Sequence, residues 1–290
     1  MDSKMCHINS NGYFIEYAKR EQVDLMPIHH YHDHFEIYYQ LSGERYYFIK
    51  DRSYYVKKGD IVLINTYDVH KTVHVGSKVY ERILINFSPE YIASLISSIE
   101  DINLLQCFSK SSPVLSLSPK EQHFIESLLF KMLREKKEEL PGYETYARIS
   151  LVELLIVLSR ISPKHKNNYL EFPSSLHKKI SEVTTYINEH FNEDITLHSI
   201  ASKFYMNAYY LCRTFKEVTG FNFTGYLNTV RIRASEELLT TTNLSILEVA
   251  TTVGYTNSTH FGRVFKQHLG LSPLQYRKIN KGEKTSIQSY

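Results

Sequence analysis

LSILEVATTVGYTNSTHFGRVFKQHLGLSPLQY, residues Leu244–Tyr276, divides into a short helix, a turn and a longer helix. Ser245 is a good N-cap residue, and Glu248 three positions on completes a capping box. Helical spacing then puts Ile246, Val249, Ala250 and Val253 on one face. Gly254 stops that helix. Asn257 caps the next, in which Ser258, Phe261, Gly262, Phe265 and Leu269 fall on one stripe while Thr259, His260, Arg263, Val264 and Gln267 turn outward. Gly270 suits a left-handed helix end, and Ser272-Pro273 opens a further helix with a cap and a first-turn proline. A short helix, a glycine turn and a second helix with a polar, basic outer face make a helix-turn-helix, whose second helix can enter a major groove. An ordinary helical hairpin has the same outline.

An upstream copy favours the first reading. In Thr196–Tyr226, TLHSIASKFYMNAYYLCRTFKEVTGFNFTGY, the residues Arg213, Phe215, Lys216, Gly220 and Tyr226 recur fifty positions later as Arg263, Phe265, Lys266, Gly270 and Tyr276. Ala201 matches Ala250 and Asn207 matches Asn257, so the second copy holds one extra turn residue. The spacing predicts a buried stripe of Ala208, Leu211, Cys212, Phe215 and Val218, with Asn207, Tyr209, Tyr210, Arg213 and Thr214 facing out. Two copies are too few for a solenoid but suit a pair of reading heads, and the helix-length run Phe223–Thr240 between them can set their separation. Heads docked on one face of a duplex are expected about 34 Å apart, one turn of DNA.

The region from about Leu176 to Lys278 resembles the DNA-binding domain of the AraC/XylS family of bacterial transcription regulators. Its second half carries that family's signature in Ala250, Gly254-Tyr255, Phe261, Arg263, Phe265-Lys266, Gly270, Ser272-Pro273 and Tyr276-Arg277. The resemblance implies a sequence-specific unit reading an asymmetric site on double-stranded promoter DNA, usually as an activator and with contact to RNA polymerase. Gly262 departs from the pattern, since glycine inside a helix costs about 1 kcal/mol of propensity. Among the outward residues, Arg213 and Arg263 can grip guanine edges, and Asn207 and Asn257 can cap helices or meet adenine. Tyr209, Tyr210, Thr214, Thr259 and His260 can reach bases or methyl groups. Lys216 and Lys266, deeper in their helices, suit phosphate, or are simply solvated.

At 290 residues the chain has room for two domains, each with its own core. The net charge of +3 is a weak signal, but its distribution is not even. From Ser174 onward there are 13 Lys+Arg against 9 Asp+Glu, leaving the first 173 residues at −1, so the basic excess lies with the proposed DNA-binding half. Cys6, Cys107 and Cys212 are far apart and form no CxxC pair, which fits a reducing cytoplasm. The N-terminus lacks a signal-peptide core, and the longest apolar run, LVELLIVL from Leu151, is short and carries Glu153, so no membrane partner is expected. Glycine-rich phosphate loops, GxSxG elbows and HExxH helices are missing from the sequence, and no enzyme activity or cofactor is expected.

From His34 to Phe87 short β-branched and aromatic runs are punctuated by Gly43, Gly59 and Gly76, arguing for an antiparallel barrel or sandwich able to hold one ligand. His30, His32 and Glu36, then Gly43 seven residues on, and His70 eleven residues after Gly59, are similar to the two-part cupin pattern. Asn65 and Tyr67 stand where cupins usually have proline and glycine. The resemblance implies a cupin-like sensor barrel. His30, His32, Glu36, His70 and Tyr38 are the candidate contacts to a small-molecule effector, with a carbohydrate as the family-level expectation. Three imidazoles and a carboxylate could equally bind a divalent metal, or be ordinary barrel structure. A metal-dependent cupin enzyme or metal sensor fused to a DNA-binding domain is the alternative, but an enzyme alone does not account for the fifty-residue duplication.

Glu121–Leu140 is amphipathic, with Phe124, Leu128 and Met132, and further Leu129 and Leu133, on its apolar side. Pro141-Gly142 breaks it, and a second helix from about Tyr143 carries Ala147, Leu151, Leu154, Leu155 and Leu158. This hairpin either packs on the barrel or pairs two subunits, and the resemblance favours a homodimer. The fold expected is therefore α+β: an N-terminal cupin-like antiparallel β-barrel with a helical hairpin, then an all-α C-terminal domain of two helix-turn-helix motifs. The domain boundaries expected are 1–161, with dimerisation helices at about 119–161, a linker at 162–173, and the DNA-binding domain at 174–290. The tail from Lys281 is expected to fray.

Overall fold

The computed structural model describes residues 12–20, 31–74, 79–96, 102–161 and 172–287. Most of the expected linker, residues 162–171, lies outside these, as does His30. The chain divides into two compact units, Met1–Ser174 and Ser175–Tyr290.

Unit 1 runs β1 (Tyr13–Arg20), β2 (Phe35–Ser42), β3 (Glu44–Ile49), β4 (Arg52–Lys57), β5 (Asp60–Ile64), β6 (His70–His74), β7 (Tyr80–Phe87), α1 (Pro89–Ile96), a 3-10 helix (Leu104–Ser109), β8 (Val114–Ser116), α2 (Pro119–Glu138) and α3 (Tyr143–Arg160). The strands form two antiparallel sheets, one in the order β1-β7-β2-β5-β8 and one in the order β4-β3-β6. Alternate residues of β2 serve two cores. Ile37 and Tyr39 pack with Ile61, Leu63, Ile83 and Ile85 toward the helices, whereas Tyr38 packs with Val62, Ile64 and Leu84 against Tyr47, Ile49 and Val56 of the smaller sheet. A strand covered on both faces loses the polar alternation of a half-exposed one, which is why the central strands read as near-continuous apolar runs.

Two strands extend the expected set. β1 pairs along its whole length with β7, from Tyr13↔Phe87 to Arg20↔Tyr80. The three-residue β8 adds to the other edge, on β5. In α2, Ser118 and Glu121 form a capping box that brackets Pro119 at the first helical position. Ile125, Leu128, Leu129 and Met132 of α2 join Ala147, Leu151, Leu154, Leu155 and Leu158 of α3 in the same core as Ile37 and Ile83. Phe124, expected on the apolar side, is 44% exposed and Ile125 takes the inward place, a rotation of the stripe by one residue. The main stripe of the hairpin therefore packs on the sheet.

Unit 2 runs α4 (Ser175–His190), α5 (Leu197–Lys203), α6 (Ala208–Thr219), α7 (Phe223–Thr241), α8 (Ile246–Thr252), α9 (Ser258–Leu269) and α10 (Pro273–Ile287). α10 extends through Ile287. α6 and α9 start fifty residues apart, have the same length and end on the left-handed glycines Gly220 and Gly270. The preceding helices start 49 apart, each behind a capping box, Thr196 with Ser199 and Ser245 with Glu248. The buried stripes are Leu211, Thr214, Phe215 and Val218 in α6 and Phe261, Val264 and Phe265 in α9. Three expectations are corrected here: Cys212 is exposed, while Thr214 and Val264 point inward. Thr214 tolerates burial because its hydroxyl donates to the Tyr210 carbonyl oxygen at 2.8 Å.

α7 belongs to both repeats. Its Tyr226 ring packs edge-on against Phe215 and Phe221 of the first, and its Ile232 and Leu239 join Val249, Phe261 and Phe265 of the second. The buried Arg231 donates from Nε to the Phe191 carbonyl oxygen at 2.7 Å and from Nη2 to that of Glu193 at 2.8 Å. Gly254 sits against this knot at φ 89°, where a Cβ would lie 2.8 Å from the Phe191 oxygen and 2.9 Å from both Arg231 Nη2 and the Asn192 oxygen. A Cβ added to Gly270, at φ 75°, would meet nothing within 4 Å. Among the described residues, no helix is long and apolar enough to cross a membrane. In chemical denaturation, Gly270→Ala is expected to cost about 1 kcal/mol for backbone strain alone, and Gly254→Ala about 3 kcal/mol because crowding adds to the same strain. Equal losses would show that the Arg231 knot is not tightly packed.

Candidate nucleic-acid interface and effector site

In each repeat the second helix is positioned by its cap. Asn207 Oδ1 accepts from the backbone N–H of Tyr209 at 2.9 Å and of Tyr210 at 3.3 Å, and Asn257 Oδ1 accepts from that of His260 at 2.7 Å. Both asparagines thus spend their oxygens on the helix. Behind the caps, Tyr209, Tyr210, Arg213 and Lys216 are exposed on α6, and Thr259, His260, Arg263 and Lys266 on α9. Thr214 is the candidate contact that the fold withdraws from this surface. Arg213, Lys216, Arg263 and Lys266 make no ion pair among the described residues, so four cations face outward uncompensated. A Cβ at Gly262 would meet nothing within 4 Å, so no crowding inside the chain explains that glycine.

The two heads are braced alike. Tyr226 donates to Asn188 Oδ1 at 2.9 Å, and its counterpart Tyr276 donates to Glu236 Oε2 at 2.9 Å. Tyr255 donates to Asn228 Oδ1 at 3.1 Å and lies beneath the Arg231 guanidinium. No motif in the sequence singles out Tyr205. It occupies the turn before α6 at φ 54° with 97% of its surface exposed.

Between the sheets of unit 1, Glu36 gathers three partners. Tyr47 donates its hydroxyl to Oε1 at 2.6 Å, His32 Nε2 lies 3.3 Å from Oε2 and His70 Nε2 lies 3.8 Å from it. Each imidazole is oriented from its other nitrogen: His32 Nδ1 donates to the His34 carbonyl oxygen at 2.8 Å, and His70 Nδ1 to that of Asp68 at 2.7 Å. A carboxylate oxygen only accepts, so Nε2 of either ring bonds Glu36 as a donor, with both ring nitrogens then protonated. Burial alone would raise the Glu36 pKa, but the bonds and charge of His32 and His70 outweigh it and hold the carboxyl well below its usual range. The Tyr47 phenol is pushed well up, by burial first and by Glu36 second. His34 stacks on His32 with ring centroids 3.7 Å apart, and burial lowers its pKa. Tyr38 is also internal, but its hydroxyl is committed to Gln40 Oε1 at 2.7 Å.

The structure thus brings together His32, Glu36 and His70, with Tyr38 two residues along β2 from Glu36. Tyr47 and His34 join them without any motif to announce them, although Tyr47 stands in a YY pair that marks an inward and an outward position. One ligand atom from each of His32, Glu36 and His70 lies within 4.8 Å of the others, a set that fits a divalent ion of the zinc type.

Two family models match the chain. The AraC-like ligand binding domain matches residues 11–142, and a helix-turn-helix domain matches residues 200–279. The bifunctional transcriptional activator/DNA repair enzyme AdaA of Bacillus subtilis is 35% identical over 103 residues, which are 36% of this chain and 49% of AdaA, so the chain spans about half of that relative. The melibiose operon regulatory protein of Escherichia coli K12 is 24% identical over 274 residues, covering 89% of this chain and 85% of its own. Among solved structures, the C-terminal domain of AraT, a response regulator from Geobacillus stearothermophilus, is 36% identical with a TM-score of 0.35 and covers 37% of this chain and 88% of that one. The chain belongs to the AraC family of transcription regulators, joining an N-terminal ligand-binding domain to a C-terminal helix-turn-helix domain that binds DNA.

Proposed function

We propose that the chain activates transcription in the cytoplasm by reading promoter DNA with α6 and α9 together, under control of a polyhydroxylated effector, such as a carbohydrate, held in the barrel. The observation that carries the DNA half is the pair of outward arginines, Arg213 and Arg263, at the same position of two helices that share α7 as a brace. Asn207, Tyr209, Tyr210, Asn257, Thr259 and His260 supply further base or sugar contacts, and Lys216 and Lys266 meet phosphate. Contact with RNA polymerase and pairing of two subunits belong to the same reading. With the main hairpin stripe occupied, the surface left for pairing is the outer one that carries Phe124, Phe130 and Ile149. The chain itself has no catalytic role in this reading.

The effector half rests on chemistry. Glu36, bonded by Tyr47 and His32 and faced by His70, makes a polar cluster inside an otherwise apolar barrel, which suits a polar effector. The similarity to a regulator of a melibiose operon points the same way. Domain boundaries near residues 161 and 174 separate the two activities. A divalent ion on His32, Glu36 and His70 is the second reading, favoured by the 4.8 Å cluster and tested by metal analysis of the purified chain.

Titrating the full chain on a duplex enriched from a random-sequence pool tests the DNA reading. Arg263→Ala is expected to lose about 1–3 kcal/mol of affinity and to relax discrimination at one base position. Lys266→Ala is expected to weaken all sequences alike and reduce the salt slope by about 1. An Arg263→Ala chain that binds every duplex as the wild type does would overturn the assigned orientation of α9. For the effector, saturation with the correct neutral sugar is expected to raise Tm by roughly 5–10 °C. Stabilisation by carboxylate ligands alone would contradict the carbohydrate reading.

A further inference from the structure

Gly262 stands in the interior of α9, where glycine is destabilising relative to alanine because it loses more backbone freedom on folding. Nothing within the chain calls for it. Its φ is not among the left-handed values that favour glycine, and a Cβ added there would meet nothing within 4 Å. Sequence spacing sets Gly262 on the apolar stripe with Phe261 and Phe265, but those rings are buried while the space beside Gly262 is open. Fifty residues upstream the matching position of α6 is Cys212, which is exposed, so the fold accepts a side chain here. What α9 lacks, it lacks on its outside.

The position on the helix indicates what passes there. Gly262 shares a row with Thr259 and Lys266, three residues before it and four after, both of them exposed. It lies about 100° round the helix axis from Arg263. With Arg263 aimed at base edges, Gly262 is turned to the wall of the groove, where one sugar-phosphate strand runs. A major groove is about 12 Å wide and a helix with its side chains is about 10–12 Å across, so a helix lying in it has little slack. Removing one side chain from the flank lets that side of the helix move up against the strand.

We infer that Gly262 is the point at which the α9 backbone itself touches DNA, packing against a deoxyribose-phosphate strand between the contacts of Thr259 and Lys266. The inference rests on the proposed docking of α9 in a major groove, and adds which flank meets the strand and how closely. Glycine suits such a place because it lets main chain approach a ligand without an intervening side chain. α6 carries a thiol at the matching position and stands farther from its own strand, so the second head is seated deeper than the first.

The test compares the wild-type full chain, on its enriched duplex, with Gly262→Ala, with Gly262→Cys, which gives α9 the residue of α6, and with Gly262→Leu. Free of DNA, Gly262→Ala is expected to melt about 3 °C above the wild type, because alanine is the better helix residue. The same variant is expected to bind the duplex at least about fivefold more weakly, with Gly262→Cys and Gly262→Leu progressively worse as the added side chain grows. Hydroxyl-radical footprinting is expected to show weaker protection of a few successive deoxyriboses in the half-site of α9, with the half-site of α6 unchanged. Arg263→Ala, run beside these, separates the inference from the reading beneath it. If Arg263→Ala loses affinity while Gly262→Ala is more stable and binds as the wild type does, the backbone contact is refuted and the docking of α9 stands. If both variants bind unchanged, α9 does not enter the groove as proposed and the inference falls with it. A Gly262→Ala chain that melts below the wild type would show that the glycine serves the fold, and would overturn the inference as well.

Discussion

α7 belongs to two hydrophobic cores at once, and the geometry of the DNA-binding unit depends on that. Tyr226, near its start, is enclosed by Phe215 and Phe221, and Ile232 and Leu239 farther along are enclosed by Val249, Phe261 and Phe265. Between these ends the buried Arg231 ties the segment after α4 to α7 through the carbonyls of Phe191 and Glu193. A guanidinium buried this way is strongly destabilising to disconnect, since its donors would be left bare in a low dielectric. The two recognition helices are consequently held by one rigid element, and neither can turn without disturbing a core. Gly254 has no side chain because this knot fills the space a Cβ would take.

Unit 1 solves a different problem. Its larger sheet is covered by the smaller sheet on one face and by the α2–α3 hairpin on the other, so residues pointing between the sheets are removed from water. Placing Glu36, His32 and His70 there is costly for folding. Tyr47 and the two histidines offset the charge of Glu36. On the effector reading proposed above, a ligand at these groups would shift a conformational balance by giving one state an interaction the other lacks.

Much of the DNA-binding half is legible in the sequence because its signals are local. The capping box at Ser245, caps at Asn207 and Asn257, and glycines at 220 and 270 each act within a few residues, and the caps and glycines recur at a fixed offset. Rotation about a helix axis is harder to read. Spacing alone puts Thr214 and Val264 outward and Cys212 inward, since a threonine looks polar until its hydroxyl is seen to bond the preceding turn. The same one-residue slip exchanges Phe124 for Ile125 in α2. In the barrel, spacing along the chain is enough to find His32, Glu36 and His70. It does not find Tyr47, whose hydroxyl meets Glu36 only once the two sheets face each other. β1 escapes for a related reason: its lysine and arginine end conceals the alternation of Tyr13 and Ile15, which becomes decisive only beside β7.

The central claim is that α6 and α9 read successive major grooves on one face of a single duplex. Missing-contact footprinting of the full chain on its enriched duplex measures this directly. Two clusters of essential bases are expected about 10 base pairs apart on one face, one lost in Arg213→Ala and the other in Arg263→Ala. A single cluster altered by both substitutions, or two clusters on opposite faces of the duplex, would contradict it.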